Sequence, residues 1–274
     1  MTRRRLTLIA GSGALAPLMA DAAQRNGDAL QVIDLVGRSD LKADRIEHIP
    51  LAEASRLMAA VLQFPTTHLV LAGAVHISDA EREGIVKAFG LAGQVARIAG
   101  DVGLAGMIQL AAKMNRVKLI GAHELAPDLL APEGHIAGPV LDLAFADSIR
   151  AALAAARVIG TIDLGQTVVV SGNRPVAAED AGGTDALLKR AAELKASGLI
   201  GNSGMPLILA KARKPRQPKF VDLPTVGAQT VVNAAAAGIS IIVVEAHGTL
   251  LMDRAGILRE AAARKVTIVG IRHG

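Results

Sequence analysis

Cysteine, tryptophan and tyrosine are absent from this 274-residue chain, and aromatic side chains beyond the imidazoles are limited to Phe64, Phe89, Phe145 and Phe220. Without cysteine there is no disulfide framework, thiol nucleophile or thiolate metal site, so chemistry falls to oxygen and imidazole groups. Any metal would then be a hard cation such as Mg²⁺ or Mn²⁺. The scarcity of aromatic rings speaks against nucleic acid as the partner, because single-strand and RNA readers stack bases on such rings. A net charge of +5 still favours an anionic ligand. Apolar residues nonetheless make up 51% of the chain. Ala, Leu, Val and Ile must therefore fill the core, as they do where helices pack on a parallel sheet.

Long hydrophobic runs are also missing. Arg3, Arg4 and Arg5 precede an apolar stretch of only Leu6–Ala10, which is too short for a signal sequence and runs into a glycine turn. Leu223–Val244 carries no charge, but Pro224, Gly227, Gln229, Asn233 and Gly238 interrupt it, so it reads as a buried helix followed by a buried strand rather than a membrane span. The expectation is a cytoplasmic protein, peripheral to a membrane at most, with the three arginines as a weak attraction to an anionic leaflet.

In the first half, apolar runs alternate with helical patterns. Strands are expected at Leu6–Ala10, Ala29–Val36, His68–Ala72 and Val117–Ile120, with helices at Ala14–Arg25, Glu53–Gln63, Asp79–Phe89 and Val102–Met114. That order predicts a parallel sheet built from right-handed crossovers. The alternation breaks at Ala126-Pro-Asp128 and Ala131-Pro-Glu-Gly134, placing a domain junction within 125–145, and Asp142–Ile159 reads as one Ala-rich helix. Beyond it, strands are expected at Thr167–Val170, Pro206–Ala210, Ile239–Val244 and Val266–Ile271, with Arg174–Ala178 closing a hairpin across Gly172. Helices fit Thr184–Ala196, Pro224–Ala237 and Arg254–Arg264. The fold class is therefore α/β: an N-terminal Rossmann-like parallel-sheet domain over 1–130 and a distinct C-terminal α/β domain over 131–274.

Three features carry candidate chemistry. Gly11-Ser-Gly13-Ala14-Leu15-Ala16 follows a strand and opens a helix, the context in which glycines let backbone amides approach a phosphate. The same pattern suits a dinucleotide, with Asp34 near the position of a ribose-binding acid, although Asp34 reads first as a solvated acid at a strand end. The second is a stiff basic loop holding Lys211, Arg213, Lys214, Arg216 and Lys219 and ending in Asp222, a combination that can neutralise a diphosphate while the acid holds a divalent cation. In the third, Glu179 and Asp185 flank Thr184 at a helix entry. Thr184 reads as an N-cap, and both acids are able to join Asp222 around a metal. His123 beside Glu124 stands at a predicted strand end, where open α/β sheets place ligands.

Together, Gly11-x-Gly13-Ala14-Leu15, Gly121-Ala-His123-Glu124, Gln166-Thr-Val-Val-Val, Glu179 followed by Gly183-Thr184-Asp185-Ala186, Lys211-Ala-x-Lys214-Pro-x-Gln217 and Asp222-Leu-Pro-Thr225-Val-Gly227 form an ordered series spanning nearly the whole chain. This series resembles the LpxI family of UDP-2,3-diacylglucosamine pyrophosphatases. The resemblance implies a Rossmann-like domain and a second α/β domain with a cleft between them. It also implies Mg²⁺-dependent hydrolysis to UMP and 2,3-diacylglucosamine 1-phosphate (lipid X) in lipid A synthesis, with a lipid-linked nucleotide sugar as partner. By the same resemblance Asp222 takes the family's essential metal-associated aspartate position. The expectation built on it is that Asp222, with Glu179 or Asp185, holds the metal and that Lys211 and Lys214 act with Asp222 as catalytic residues by stabilising charge on the attacked phosphoryl group. Gly11, Gly13, Ala14, Leu15, His123, Glu124, Gln166, Thr184, Gln217 and Thr225 bind substrate. A dinucleotide-dependent oxidoreductase and a non-catalytic nucleotide-sugar-binding protein stay open beside this reading, as does a homo-oligomer. Because phosphate-binding elements fall in both halves, closure about Ala126–Pro139 is a further expectation.

Overall fold

Short β-branched and leucine-rich runs form the strands of both halves. The computed structural model describes residues 3–75, 108–202, 204–215 and 223–272, and these fall into two units, one running to Pro127 and the other beginning at Asp128. In the first unit β1 (Arg5–Ala10), β2 (Ala29–Asp34), β3 (Arg45–His48), β4 (His68–Ala72) and β5 (Lys118–Ile120) make an all-parallel sheet in the order β3-β2-β1-β4-β5. Helix α1 (Leu15–Arg25) turns Leu15, Ala16, Met19, Ala20 and Ala23 inward at helical spacing. A 3₁₀ turn over Leu51–Arg56 leads into α2 (Leu57–Gln63). Residues 108–114 are helical and precede β5, and a short helix α3 (Ala122–Leu125) follows it. The predicted helix Asp79–Phe89 lies outside the described residues.

The arginines at the start of the chain hold β1 in place. Arg4 grips both carboxylate oxygens of buried Asp28, Arg3 donates to the carbonyls of Gly27 and Asp28, and Arg5 donates to Pro65 O. These guanidinium groups thus help tie down β1, while Arg3 and Arg5 stay exposed.

The second unit has one six-stranded mixed sheet, ordered β6-β13-β11-β9-β7-β8, from β6 (Gly134–Ala137), β7 (Thr167–Ser171), β8 (Arg174–Ala178), β9 (Leu207–Lys211), β11 (Ile241–Glu245) and β13 (Thr267–Ile271). Strands β9, β11 and β13 run parallel at its centre, while β7, β8 and β6 are antiparallel to their neighbours. A separate two-stranded ladder joins β10 (Thr225–Gly227) to β12 (Leu250–Met252). Helix α4 (Ala146–Thr161) packs Ile149, Ala152, Leu153 and Ala156 against one sheet face. Residues of α5 (Gly183–Ala196), α6 (Ala228–Ala236) and α7 (Arg254–Arg264) form the core on the other. Both faces of the central strands are covered, which explains their uninterrupted apolar text.

Several expectations change. Strand β3 went unread, being a four-residue edge strand with alternate residues exposed. The expected hinge, Ala126–Pro139, contains β6 and is partly a strand of the sheet. The predicted helix Pro224–Ala237 begins as β10 and turns helical only at Ala228. Among the described residues no helix is long and apolar enough to cross a membrane.

Candidate active site

In the second unit one edge of the sheet collects the polar groups. Parallel β9 and β11 end there at Lys211 and Glu245, antiparallel β7 begins there with Thr167 opposite Lys211, and β8 delivers Glu179 just past its last residue. Carboxyl ends of parallel strands are where open α/β sheets bind ligands.

Lys211 is 5% exposed, and its Nζ donates to Thr184 Oγ1 at 2.9 Å. Thr184 Oγ1 in turn donates to Glu179 Oε1 at 2.7 Å, and Glu179 Oε2 accepts the backbone N–H of Gln166 at 2.9 Å. Burial pushes the Lys211 ammonium below the ordinary lysine range, while Glu179 and Asp185 oppose that shift through their negative charge. Thr184 therefore differs from the expected N-cap. Gly182 occupies the cap position, and the threonine hydroxyl turns inward from the first helical turn. Asp185 is exposed and accepts Asn233 Nδ2 at 3.0 Å.

Lys214 pairs with Asp163 at 2.6 Å, beside the last turn of α4. Glu245, buried, accepts the backbone N–H of Arg213 and forms an ion pair with Arg157, each at 3.0 Å, and so fixes the segment between the two lysines. Asp163, Arg157 and Glu245 were not singled out from sequence, because pairing between residues 32 or more apart leaves no local spacing signal. Thr225 opens β10 and is half-buried, and Gln217 and Asp222 lie outside the described residues. The oxygen-only donors suit a hard cation. Among the described residues no three His, Asp or Glu side chains converge to close a metal site. Of the carboxylates at this edge, Glu179 and Glu245 are held by their own chain, while Asp185 is exposed.

The glycine turn of the first unit is organised differently. Gly11 N donates to Ala72 O at 2.9 Å, Ser12 N to Ala74 O at 2.8 Å and Ala74 N to Ser12 O at 3.0 Å. The loops after β1 and β4, which flank the point where strand order reverses, are stitched together by these bonds. Gly11 and Leu15 are buried, while Gly13 and Ala14 are exposed at the head of α1. Arg38 Nη1 donates to the carbonyls of Gly11 and Gly13, at 3.0 and 2.8 Å. Asp34 is not a solvated acid. At 2% exposure, it accepts the backbone N–H groups of Val36, Gly37 and Arg38, which leaves it capping a turn rather than reaching for a ribose. Glu124 likewise caps α3 through Gly121 N at 2.9 Å, next to half-buried His123.

A Cβ added at Gly11 would lie 2.5 Å from Ala74 O and 2.8 Å from Gly73 O, whereas one added at Gly13 meets nothing within 4 Å and carries only the strain of a φ of +85°. Gly11→Ala is expected to lower stability by about 3 kcal/mol and Gly13→Ala by about 1 kcal/mol. Thermal melting of the two variants checks this, and equal melting points would show that loop-to-loop approach is not what demands Gly11.

Comparison with known proteins agrees with this two-part layout. The model of the LpxI N-terminal domain matches residues 5–129, and that of the LpxI C-terminal domain matches residues 132–269. A relative from Caulobacter vibrioides, UDP-2,3-diacylglucosamine pyrophosphatase LpxI, is 32% identical over 276 residues, covering 98% of each chain. Solved structures are far less similar. The Bordetella bronchiseptica enzyme WbmG in complex with NAD and UDP is 19% identical over 42% of this chain and 36% of its own, with a TM-score of 0.27. Glycinamide-RNase-transformylase T from Mycobacterium tuberculosis is 15% identical over 63% and 42%, with a TM-score of 0.25. At those scores neither structure bears on the site. The two domain matches and the full-length relative, by contrast, run from end to end: the chain belongs to the LpxI family.

Proposed function

We propose that this chain hydrolyses the pyrophosphate bond of UDP-2,3-diacylglucosamine, releasing UMP and 2,3-diacylglucosamine 1-phosphate. The observation that carries the reading is the full-length similarity, at 32% identity, to the Caulobacter pyrophosphatase, joined to a buried lysine at the carboxyl end of a parallel strand. A bound divalent cation, Mg²⁺ or Mn²⁺, would be held by Asp222 with help from Asp185 and would supply Lewis-acid neutralisation of the diphosphate. Lys211 stabilises charge developing on the attacked phosphoryl group, from a low-dielectric position that strengthens its field. Lys214 contributes less, because Asp163 already neutralises part of its charge. Water is the nucleophile, and no covalent intermediate is invoked.

The test is release of UMP from UDP-2,3-diacylglucosamine with Mg²⁺ present, run beside a titration with NAD(P)H. UMP is expected, and Asp222→Ala should reduce its release at least about 10²-fold without changing the melting temperature. Near-normal turnover of that variant at saturating metal removes Asp222 from the chemistry. Tight NAD(P)H binding without UMP would replace the hydrolase reading with an oxidoreductase one.

A further inference from the structure

Glu179 has both carboxylate oxygens engaged by its own chain, one by a backbone amide that opens β7 and the other by a hydroxyl on α5. Its own N–H donates to Thr167 O at 2.8 Å, and a Cβ added at Gly165 would come 2.5 Å from Glu179 O. The residue is 7% exposed and held from two sides. Thr184 sits between it and Lys211, and proton counting sets the direction of the chain. A hydroxyl has one proton to give. A carboxylate can only accept and an ammonium can only donate, so Thr184 gives its proton to Glu179 and receives one from Lys211. Thr167 Oγ1, 3.5 Å from Thr184 Oγ1, lines the same spot. An ammonium carries three protons, and this arrangement spends one. The remaining two are not spent in any hydrogen bond among the described residues.

We propose that Glu179 and Thr184 are positioning residues that hold the Lys211 ammonium for the diphosphate, and that Glu179 is not a metal ligand. The assignment rests on the pyrophosphatase reading for its substrate and on the hydrogen-bond chain for its geometry. Thr184 acts through its hydroxyl alone, so serine serves in its place and the isosteric valine does not.

Three variants, Thr184→Ser, Thr184→Val and Glu179→Gln, separate the roles when kcat, KM and the half-saturating Mg²⁺ concentration are each measured. Thr184→Ser should keep kcat within about threefold of the parent, while Thr184→Val should lose about 10²-fold in kcat with KM and the Mg²⁺ requirement nearly unchanged. Glu179→Gln should behave like the valine variant. A rise of about tenfold or more in the Mg²⁺ requirement of Glu179→Gln, with kcat recovered at high Mg²⁺, would make Glu179 a metal ligand and overturn the assignment. Parental kcat in Thr184→Val would overturn it too. A readout independent of turnover is the ¹⁵N spectrum of the lysine ammonium groups. Lys211 should give a slowly exchanging signal in the parent and in Thr184→Ser that is lost in Thr184→Val, and its persistence in the valine variant would defeat the proposal. Should the parent release no UMP, the substrate reading falls, and the ammonium signal still decides whether the pair holds Lys211.

Discussion

Replacing Lys211 with methionine is expected to lower kcat by about 10³-fold while the protein melts within a few degrees of the parent. The two halves of that expectation have one origin. Lys211 is almost fully buried, and removal from water pushes its pKa down against the attraction of Glu179 and Asp185. Because its folded-state pKa lies below its unfolded-state value, the folded chain binds fewer protons than the unfolded chain between those two values. The charged lysine therefore costs stability at neutral pH, and the cost fades as pH rises through that window. Methionine fills a similar volume with no charge to desolvate, so the fold should tolerate it. A diphosphate cannot: the group aimed at its developing charge is gone. UMP release and thermal melting at neutral pH check both halves together. Full activity would place the reaction elsewhere, and a collapse in melting temperature would mean that the lysine holds the sheet rather than the substrate.

Gly138→Ala should produce the largest loss of stability of any substitution considered, about 4 kcal/mol, seen as a fall of roughly 10 °C in melting. Gly138 follows β6 with a φ of +79°, and an added Cβ would sit 1.9 Å from Val266 O and 2.7 Å from its carbonyl carbon. Those atoms are backbone leading into β13, so no rotamer change relieves the overlap. Around the glycine, Thr267 Oγ1 donates to Pro139 O at 3.0 Å, and His135 Nε2 lies 3.1 Å from the carbonyl oxygens of Gly138 and Pro139. Relief would mean separating β6 from β13 and uncovering the apolar edge of the sheet. A melting curve that overlays the parent would show that this edge is not held by close backbone approach.

The sequence made the repeating α/β grammar legible, because strands buried on both faces are written in continuous apolar text and the helices between them keep a 3.6-residue stripe. Edge elements were harder to read. Arg45–His48 alternates partly buried with exposed residues over only four positions, and Gly134–Ala137 hides among prolines and glycines that ordinarily mark a linker. In the site, Lys211, Glu179 and Thr184 were named from their motifs, but their mutual arrangement was not legible. Thr184 obeys the local rule for a cap, and only the return of β8 alongside β7 brings Glu179 to its hydroxyl. Asp34 misled in the opposite direction. A polar residue at a strand end suggests solvent, yet the turn after it folds three amides back onto the carboxylate. Glu245 and its partners depend on the order of strands in the sheet, which no window of sequence contains.

Strand β9 has one further consequence. Lys211 is in ladder register with Thr167 on one side and its neighbour strand's Val244 on the other, inside a sheet covered by helices on both faces. Amides in such a strand exchange with solvent only when the whole unit opens, whereas loop-borne sites open locally at far lower free energy. The backbone that carries the lysine should therefore be among the slowest to exchange deuterium in the protein, and heat inactivation should coincide with global unfolding instead of preceding it.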